Sequence, residues 1–397
     1  MNISKRADSI QASPIRRLAP LMLEAKRRGR AVYHLNIGQP DIETPKAYWE
    51  AIANHGDPVL SYGPSDGLPE LKEAVAEYFG RYGVSIEPKD ILVTTGGSEA
   101  ILFAFCSVCD PGDQVIIPEP FYTNYNGFAT MAGMEVVPVR SRAENGFALP
   151  PLETIEAAVG PRTRAILICS PNNPTGYILT WDEIQGLAEL ARKHDLFLIG
   201  DEVYKEFTYE GAEHRSLLEL EGLDDRVIVT DSISKRFSAC GARVGTVVSR
   251  NRKVMEACLK FGQARLCPPT LEQVGAIAAY NMDPGYFDPI RKEYQDRRDI
   301  LLEGIRKDPG VFVKRPPGAF YMVVSLDIPD ADDFAQWLLR DFESNGETVM
   351  VAPANGFYAT EGAGLNEVRM AYVLETQKLE RAAEVFIEGL AEYRKLA

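Results

Sequence analysis

Residues 227–245 read VIVTDSISKRFSACGARVG. The first three are apolar without a break, Thr230 follows, and the next five are polar or charged apart from Ile233. A strand covered on both faces reads as a continuous apolar run and turns polar where it surfaces. The same shape recurs upstream at DILVTTGG (90–97), QVIIPEP (114–120), RAILICSPNNPTG (164–176) and LFLIGDEVY (196–204). Between these lie stretches with helical spacing, namely PELKEAVAEYFGRYG (69–83), SEAILFAFCSVC (98–109) and TWDEIQGLAELARKH (180–194). Strands alternating with helices predict an α/β fold with a mostly parallel sheet between helices. Ligands of such sheets bind beyond the carboxyl ends of the strands, and every polar loop named above sits at that edge.

The pattern changes after PGYFDPIRKEYQDRRDILLEGIRKDPG (284–310), which reads as one long helix. GVFVKRPPGAFYMVVSL (310–326), DDFAQWLLRDFESNG (332–346) and NEVRMAYV (366–373), with a last helix over about 376–396, predict a smaller α+β unit. The expected organisation is an N-terminal segment (1–45) packing with the small unit, a large domain (46–290) and a small C-terminal domain (291–397).

The chain has 397 residues, 45% of them hydrophobic and 25% charged, with a net charge of −14. That balance argues against nucleic acid or an anionic membrane as a general partner, while leaving room for a local basic pocket. No apolar run reaches the length of a membrane-spanning helix. MNISKRADSIQASP at the start lacks the apolar core of a signal peptide, so a cytoplasmic location is expected. Cys106 and Cys109 form the sole C-x-x-C pair, inside a helical run, and the four histidines show no i, i+4 spacing. No metal site is expected.

Lys235 carries the chemical argument. Lysine is almost never buried without a partner, and in a partly dry pocket it can lose its proton and attack a carbonyl to form an imine. Pyridoxal phosphate is the cofactor most used for that chemistry, and it needs further groups. Asp201 can keep the ring nitrogen protonated, and Asn173 and Tyr204 can donate to the ring oxygen. Arg243, Ser232, Ser234 and the turn at Gly97 and Ser98 can hold the phosphate. Tyr122, in PEPFYTNY (118–125), offers a ring to stack on. Each alone has an ordinary structural reading as a cap, a surface charge, a turn or a core aromatic. Together they converge on one sheet edge.

These residues resemble the class I/II aminotransferases of the aspartate aminotransferase fold, the fold type I pyridoxal-phosphate enzymes. SISKRFSACGARVG looks like their S-x-S-K-x(7)-R motif, SPNNPTG like their N-P-T-G loop, and DEVY and TTGGSEA like their pyridine and phosphate segments. The resemblance spans essentially the whole chain. It implies a seven-stranded, mostly parallel sheet, with Lys235 as the imine lysine and Arg243 as the phosphate arginine. It also implies that Gly38 of LNIGQPD, Asn173 and Arg369 of NEVRMAYV meet the substrate carboxylate. Tyr62 of YGPSDGLPEL would reach the phosphate of a neighbouring subunit, so a homodimer with shared sites is implied.

The implied reaction is a ping-pong transfer of the amino group of an L-amino acid, first of all aspartate, to a 2-oxo acid such as 2-oxoglutarate. Aromatic, prephenate and alanine donors are alternatives. A carbon–sulfur β-lyase or a non-catalytic cofactor-binding regulator is more remote, the latter because no basic DNA-binding module is seen. No G-x-G-x-x-G follows the first strand, which disfavours a nicotinamide dehydrogenase. A distal carboxylate would need a further cation, and Arg265 and Arg16 are the candidates. Some family members carry a lysine in the phosphate turn for that purpose, where this chain has Ser98.

Overall fold

The computed structural model describes residues 2–11 and 13–396. Its strands, in chain order, are β1 (Ala31–His34), β2 (Ile91–Thr95), β3 (Gln114–Glu119), β4 (Glu135–Arg140), β5 (Thr163–Cys169), β6 (Phe197–Asp201), β7 (Val227–Ser232), β8 (Val244–Val248), β9 (Val311–Phe312), β10 (Tyr321–Leu326), β11 (Glu347–Met350), β12 (Ala352–Pro353) and β13 (Glu367–Ala371). Seven of them form the large sheet in the order β2-β8-β7-β6-β5-β3-β4. Only β8 runs antiparallel to its neighbours, so the mostly parallel α/β sheet expected from the apolar runs is present. Every residue of β7 and β8 is buried. Each Val or Ile removed from water there contributes about 1.5–3 kcal/mol before entropy is counted.

The register carries the site. Cys169 of β5 pairs with Asp201 of β6, Asp201 with Thr230 of β7, and Ser232 with Gly245 of β8. The loops after β5, β6 and β7 therefore leave the sheet side by side. A fourth arrival is the helix Gly96–Val108, which follows β2 without a linker. Gly245 must be glycine here, since a Cβ would lie 2.5 Å from the Gly96 carbonyl carbon.

The second unit is an antiparallel sheet, β12-β13-β10-β9, packed with the helices Ala331–Arg340 and Thr376–Tyr393. β1 pairs in parallel with β11, which ties the N-terminal segment to this unit. The long helix Phe287–Ile305 packs on Thr376–Tyr393. Among the described residues no helix is long and apolar enough to cross a membrane, and no cluster could hold a metal ion.

Candidate active site

A cavity of about 530 Å³ opens at the carboxyl edge of the large sheet, between it and the small unit. Its lining brings together thirteen of the fifteen residues singled out from sequence: Arg16, Gly38, Gly97, Ser98, Tyr122, Asn173, Asp201, Tyr204, Ser232, Ser234, Lys235, Arg243 and Arg369. Four of these are cations and Asp201 is the single carboxylate, in a chain whose net charge is −14. The wall is thus locally basic against the charge of the whole.

Lys235 lies in the one-turn helix Ile233–Arg236, capped by Ser232, whose Oγ accepts from Ser234 N at 3.1 Å. The two serine hydroxyls are 2.8 Å apart. Lys235 Nζ donates to the Gly38 carbonyl at 2.9 Å and lies 3.8 Å from Cys240 Sγ. Beneath the turn, Arg236 points away from the cavity into a fully buried cluster. It pairs with Asp231 and, at 3.2 Å, with Glu206, while Lys205 Nζ reaches Asp231 at 2.8 Å. Burial pushes the Asp231 carboxyl up, but Arg236 and Lys205 more than offset this and hold it below the usual range.

Arg243 has left-handed backbone (φ +56°) and donates to the Cys240 carbonyl at 3.0 Å. Its guanidinium fills the space where a Cβ on Gly96 would sit, and Gly96 itself has φ +76°. Side-chain bulk and backbone strain both forbid another residue at that position. The arginine fork, the Ser232 and Ser234 hydroxyls and the start of the Gly96–Val108 helix thus form a cradle for an anion.

Asp201 ends β6. Burial lifts its carboxyl to about 6, against the Tyr125 hydroxyl at 2.7 Å and the Val203 N–H at 3.4 Å, which favour the charged form. Tyr125 lies three residues beyond Tyr122 and is fully buried; its aromatic side chain reads from sequence as core, and only the structure reveals its hold on Asp201. Tyr122 lines the cavity, with its hydroxyl accepting from Asn124 at 2.8 Å.

Arg369, on β13, is 2% exposed. It donates to Asn173 Oδ1 at 3.1 Å and to the Asn36 carbonyl, and it packs over the rings of Tyr321 and Phe357. Its Nε has no hydrogen-bond partner, and among the described residues it pairs with no carboxylate. Burial accordingly pulls the guanidinium below its usual range. Tyr204 is joined to Asn173 Nδ2 at 3.4 Å and to the Tyr321 hydroxyl at 2.9 Å. Tyr321 also lines the cavity, and nothing in GAFYMVV distinguishes it from an ordinary strand aromatic.

Two of the fifteen stand apart. Tyr62 is 81% exposed and does not line the cavity of its own chain. Arg265 lies behind the Gly96 turn, 3.3 Å from Glu99 and donating to the Val93 carbonyl at 3.1 Å. Of the two candidate cations for a distal carboxylate, only Arg16 reaches the cavity.

The family model described as aminotransferase class I and II matches residues 30–386. An aspartate aminotransferase of Bacillus subtilis is 31% identical, over 97% of this chain and 98% of its own. An aspartate/prephenate aminotransferase of Thermus thermophilus is 32% identical, over 98% of each. The solved structure of the Thermus thermophilus aspartate aminotransferase with maleate superposes with a TM-score of 0.88 at 32% identity, covering 98% of this chain and all of that one. Sheet order, the lysine turn and near-complete coverage in each comparison agree, and the chain belongs to the class I and II aminotransferases, as an enzyme with the aspartate aminotransferase fold.

Proposed function

We propose that the enzyme uses pyridoxal 5′-phosphate to move the amino group of an L-amino acid, aspartate first, to a 2-oxo acid, with 2-oxoglutarate as the leading acceptor. The residues fit that cofactor on grounds of their own. A buried carboxyl lifted to about 6, with no cation beside it among the described residues, suits a protonated ring nitrogen. The Gly96 turn, cleared of any Cβ, leaves Arg243 free for a phosphate. When bound, the cofactor supplies an electron-accepting ring and a carbon at which the amine is exchanged.

The chain's side chains do the rest. Asp201 holds a proton on the ring nitrogen, and Tyr204 and Asn173 donate to the ring oxygen. Arg243, Ser232, Ser234, Gly97 and Ser98 retain the phosphate, and Tyr122 packs against the ring. Arg369 and the Gly38 segment orient the substrate α-carboxylate. The Lys235 amine takes the proton from the substrate α-carbon and holds it for return. The observation that carries this reading is Arg369, a buried guanidinium with no anionic partner among the described residues, facing a cavity that contains Lys235. Such a charge is costly until a carboxylate arrives.

A dicarboxylate donor is supported by Arg16 at the cavity wall, for which no ion pair is found among the described residues. The Bacillus relative is an aspartate aminotransferase and the Thermus relative an aspartate/prephenate aminotransferase. Prephenate also carries two carboxylates, so it is the second reading on the same observation. The division into a segment 1–45, a large domain 46–290 and a small domain 291–397 belongs to the proposal, as does a homodimer in which Tyr62 acts across subunits. A cytoplasmic setting suits six cysteines that are all unpaired.

The test is the visible absorption of the purified protein, before and after single amino acids are added without an oxo acid. Conversion of the band by aspartate and glutamate, but not by alanine or phenylalanine, is the expected result. Conversion by glutamate and aromatic donors alone would favour the aromatic alternative. No band after incubation with pyridoxal phosphate would overturn the cofactor reading.

A further inference from the structure

The Tyr204 hydroxyl has one proton to give and two lone pairs to fill. Asn173 Nδ2 donates to it at 3.4 Å, and the Tyr321 hydroxyl lies 2.9 Å away. Tyr321 has one other acceptor in reach, the Gly38 carbonyl at 3.4 Å. That carbonyl already receives Lys235 Nζ at 2.9 Å. The shorter and less contested path for the Tyr321 proton therefore leads to Tyr204. With both lone pairs of Tyr204 occupied, its own proton has no acceptor among the described residues except across the cavity.

The surroundings hold Tyr321 in this pose. Its ring lies under the Arg369 guanidinium at 4.6 Å, and it is 2% exposed. A Cβ at residue 38 would overlap the Tyr321 hydroxyl, so Gly38 is the space this tyrosine needs. Tyr321 comes from β10 of the small unit and Tyr204 from the loop after β6 of the large sheet, so the contact crosses between them.

We propose that Tyr321 is a positioning residue whose hydroxyl donates to Tyr204 and so commits the single Tyr204 proton to the cavity, as a donor to the ring oxygen of the cofactor. This rests on the pyridoxal-phosphate reading above. Hydrogen bonds in such a chain polarise one another, so Tyr204 is a stronger donor with Tyr321 behind it. The other charged and titratable groups around the pair are Asp201, Cys169, Tyr122, Tyr294, Tyr372, Arg369 and Lys235, and each keeps its own side chain when one oxygen is removed from Tyr321.

The experiment uses holoenzyme of wild type, Tyr321→Phe, Tyr204→Phe and the double variant, and follows the pH titration of the visible band of cofactor joined to Lys235. Donation to the ring oxygen stabilises the form that has lost its proton, so losing it moves the midpoint up. For Tyr321→Phe we expect a rise of about 0.3–1 pH unit. Tyr204→Phe should rise further, and the double variant should match Tyr204→Phe alone. A Tyr321→Phe midpoint equal to wild type, or a shift that adds in full to that of Tyr204→Phe, overturns the inference while a normal wild-type band leaves the cofactor reading standing. If wild type itself shows no band with added pyridoxal phosphate, the cofactor reading fails and takes this inference with it.

Discussion

Asp201 is where single-residue chemistry is most exposed to measurement. Its carboxyl is lifted from an ordinary value of 3.8 to about 6 by burial. The folded protein without cofactor therefore holds a proton that the unfolded chain has already lost between those values. Where the folded state binds more protons, stability falls as pH rises. The contribution is fully present below the unfolded value and is lost as pH passes through about 6. A shift of about two units corresponds to roughly 3 kcal/mol. Asp201→Asn removes the titration, so the stability of wild-type apoenzyme relative to that variant should drop by this order between acid and neutral pH in denaturant titrations. A pH-independent difference would refute the burial argument. Lys235 gives the complementary functional case. Lys235→Ala should abolish turnover while the Arg243 cradle still retains cofactor, as judged by equilibrium dialysis against released product. A variant keeping most of its kcat would remove Lys235 from the chemistry.

The turn that presents Lys235 depends on what lies beneath it. Arg236 joins Asp231, at the end of β7, to Glu206, in the loop after β6, with no solvent access to any of the three side chains. Arg236→Met leaves two buried carboxylates with Lys205 alone to balance them. The loss of one partner from such a cluster costs about 3–5 kcal/mol, and we expect that loss in equilibrium unfolding, with part of it recovered when Glu206→Gln is added. The same elements explain what could be read from sequence. β5, β6 and β7 are buried on both faces, so their residues are apolar in sequence and their ends are abrupt. β4 is the sheet's edge, half-exposed and interrupted by Pro138, and its weak signal escapes pattern reading. β8 follows Arg243 immediately, so VGTVV is hidden inside what reads as a loop motif. Polar groups such as Lys235, Asp201 and Arg243 announced themselves because charge at a buried strand end needs a reason. Tyr125 and Tyr321 act through hydroxyls on rings that the sequence cannot distinguish from core packing, and their roles emerge only from partners far along the chain.

At the scale of the molecule, the surface around Tyr62 argues for a second copy. Val59, Leu60 and Tyr62 are 68%, 61% and 81% exposed within a single loop, and Trp49 and Leu266 are also more than half exposed. Consecutive large apolar side chains left in water mark an interaction surface. A homodimer would cover them, and a two-fold interface would carry each Tyr62 towards the other subunit's cavity. Sedimentation should then give twice the chain mass of 44.0 kDa. A dimer alone would not show that the sites are shared, but mixing does. Lys235→Ala lacks the lysine and keeps Tyr62; Tyr62→Ala keeps the lysine and, at limiting cofactor, should be weakly active because its phosphate is poorly held. If Tyr62 acts across the interface, a heterodimer of the two assembles one site with both residues intact and one with neither. Random mixing makes half the dimers hybrid, so roughly a quarter of all sites should regain wild-type cofactor affinity and turnover. If Tyr62 serves its own chain, or no site at all, each hybrid site still lacks one residue or needs only the other, and activity stays at the average of the two parents. Co-expression with separate affinity tags isolates the hybrid, and its activity per lysine-bearing site distinguishes the two arrangements directly.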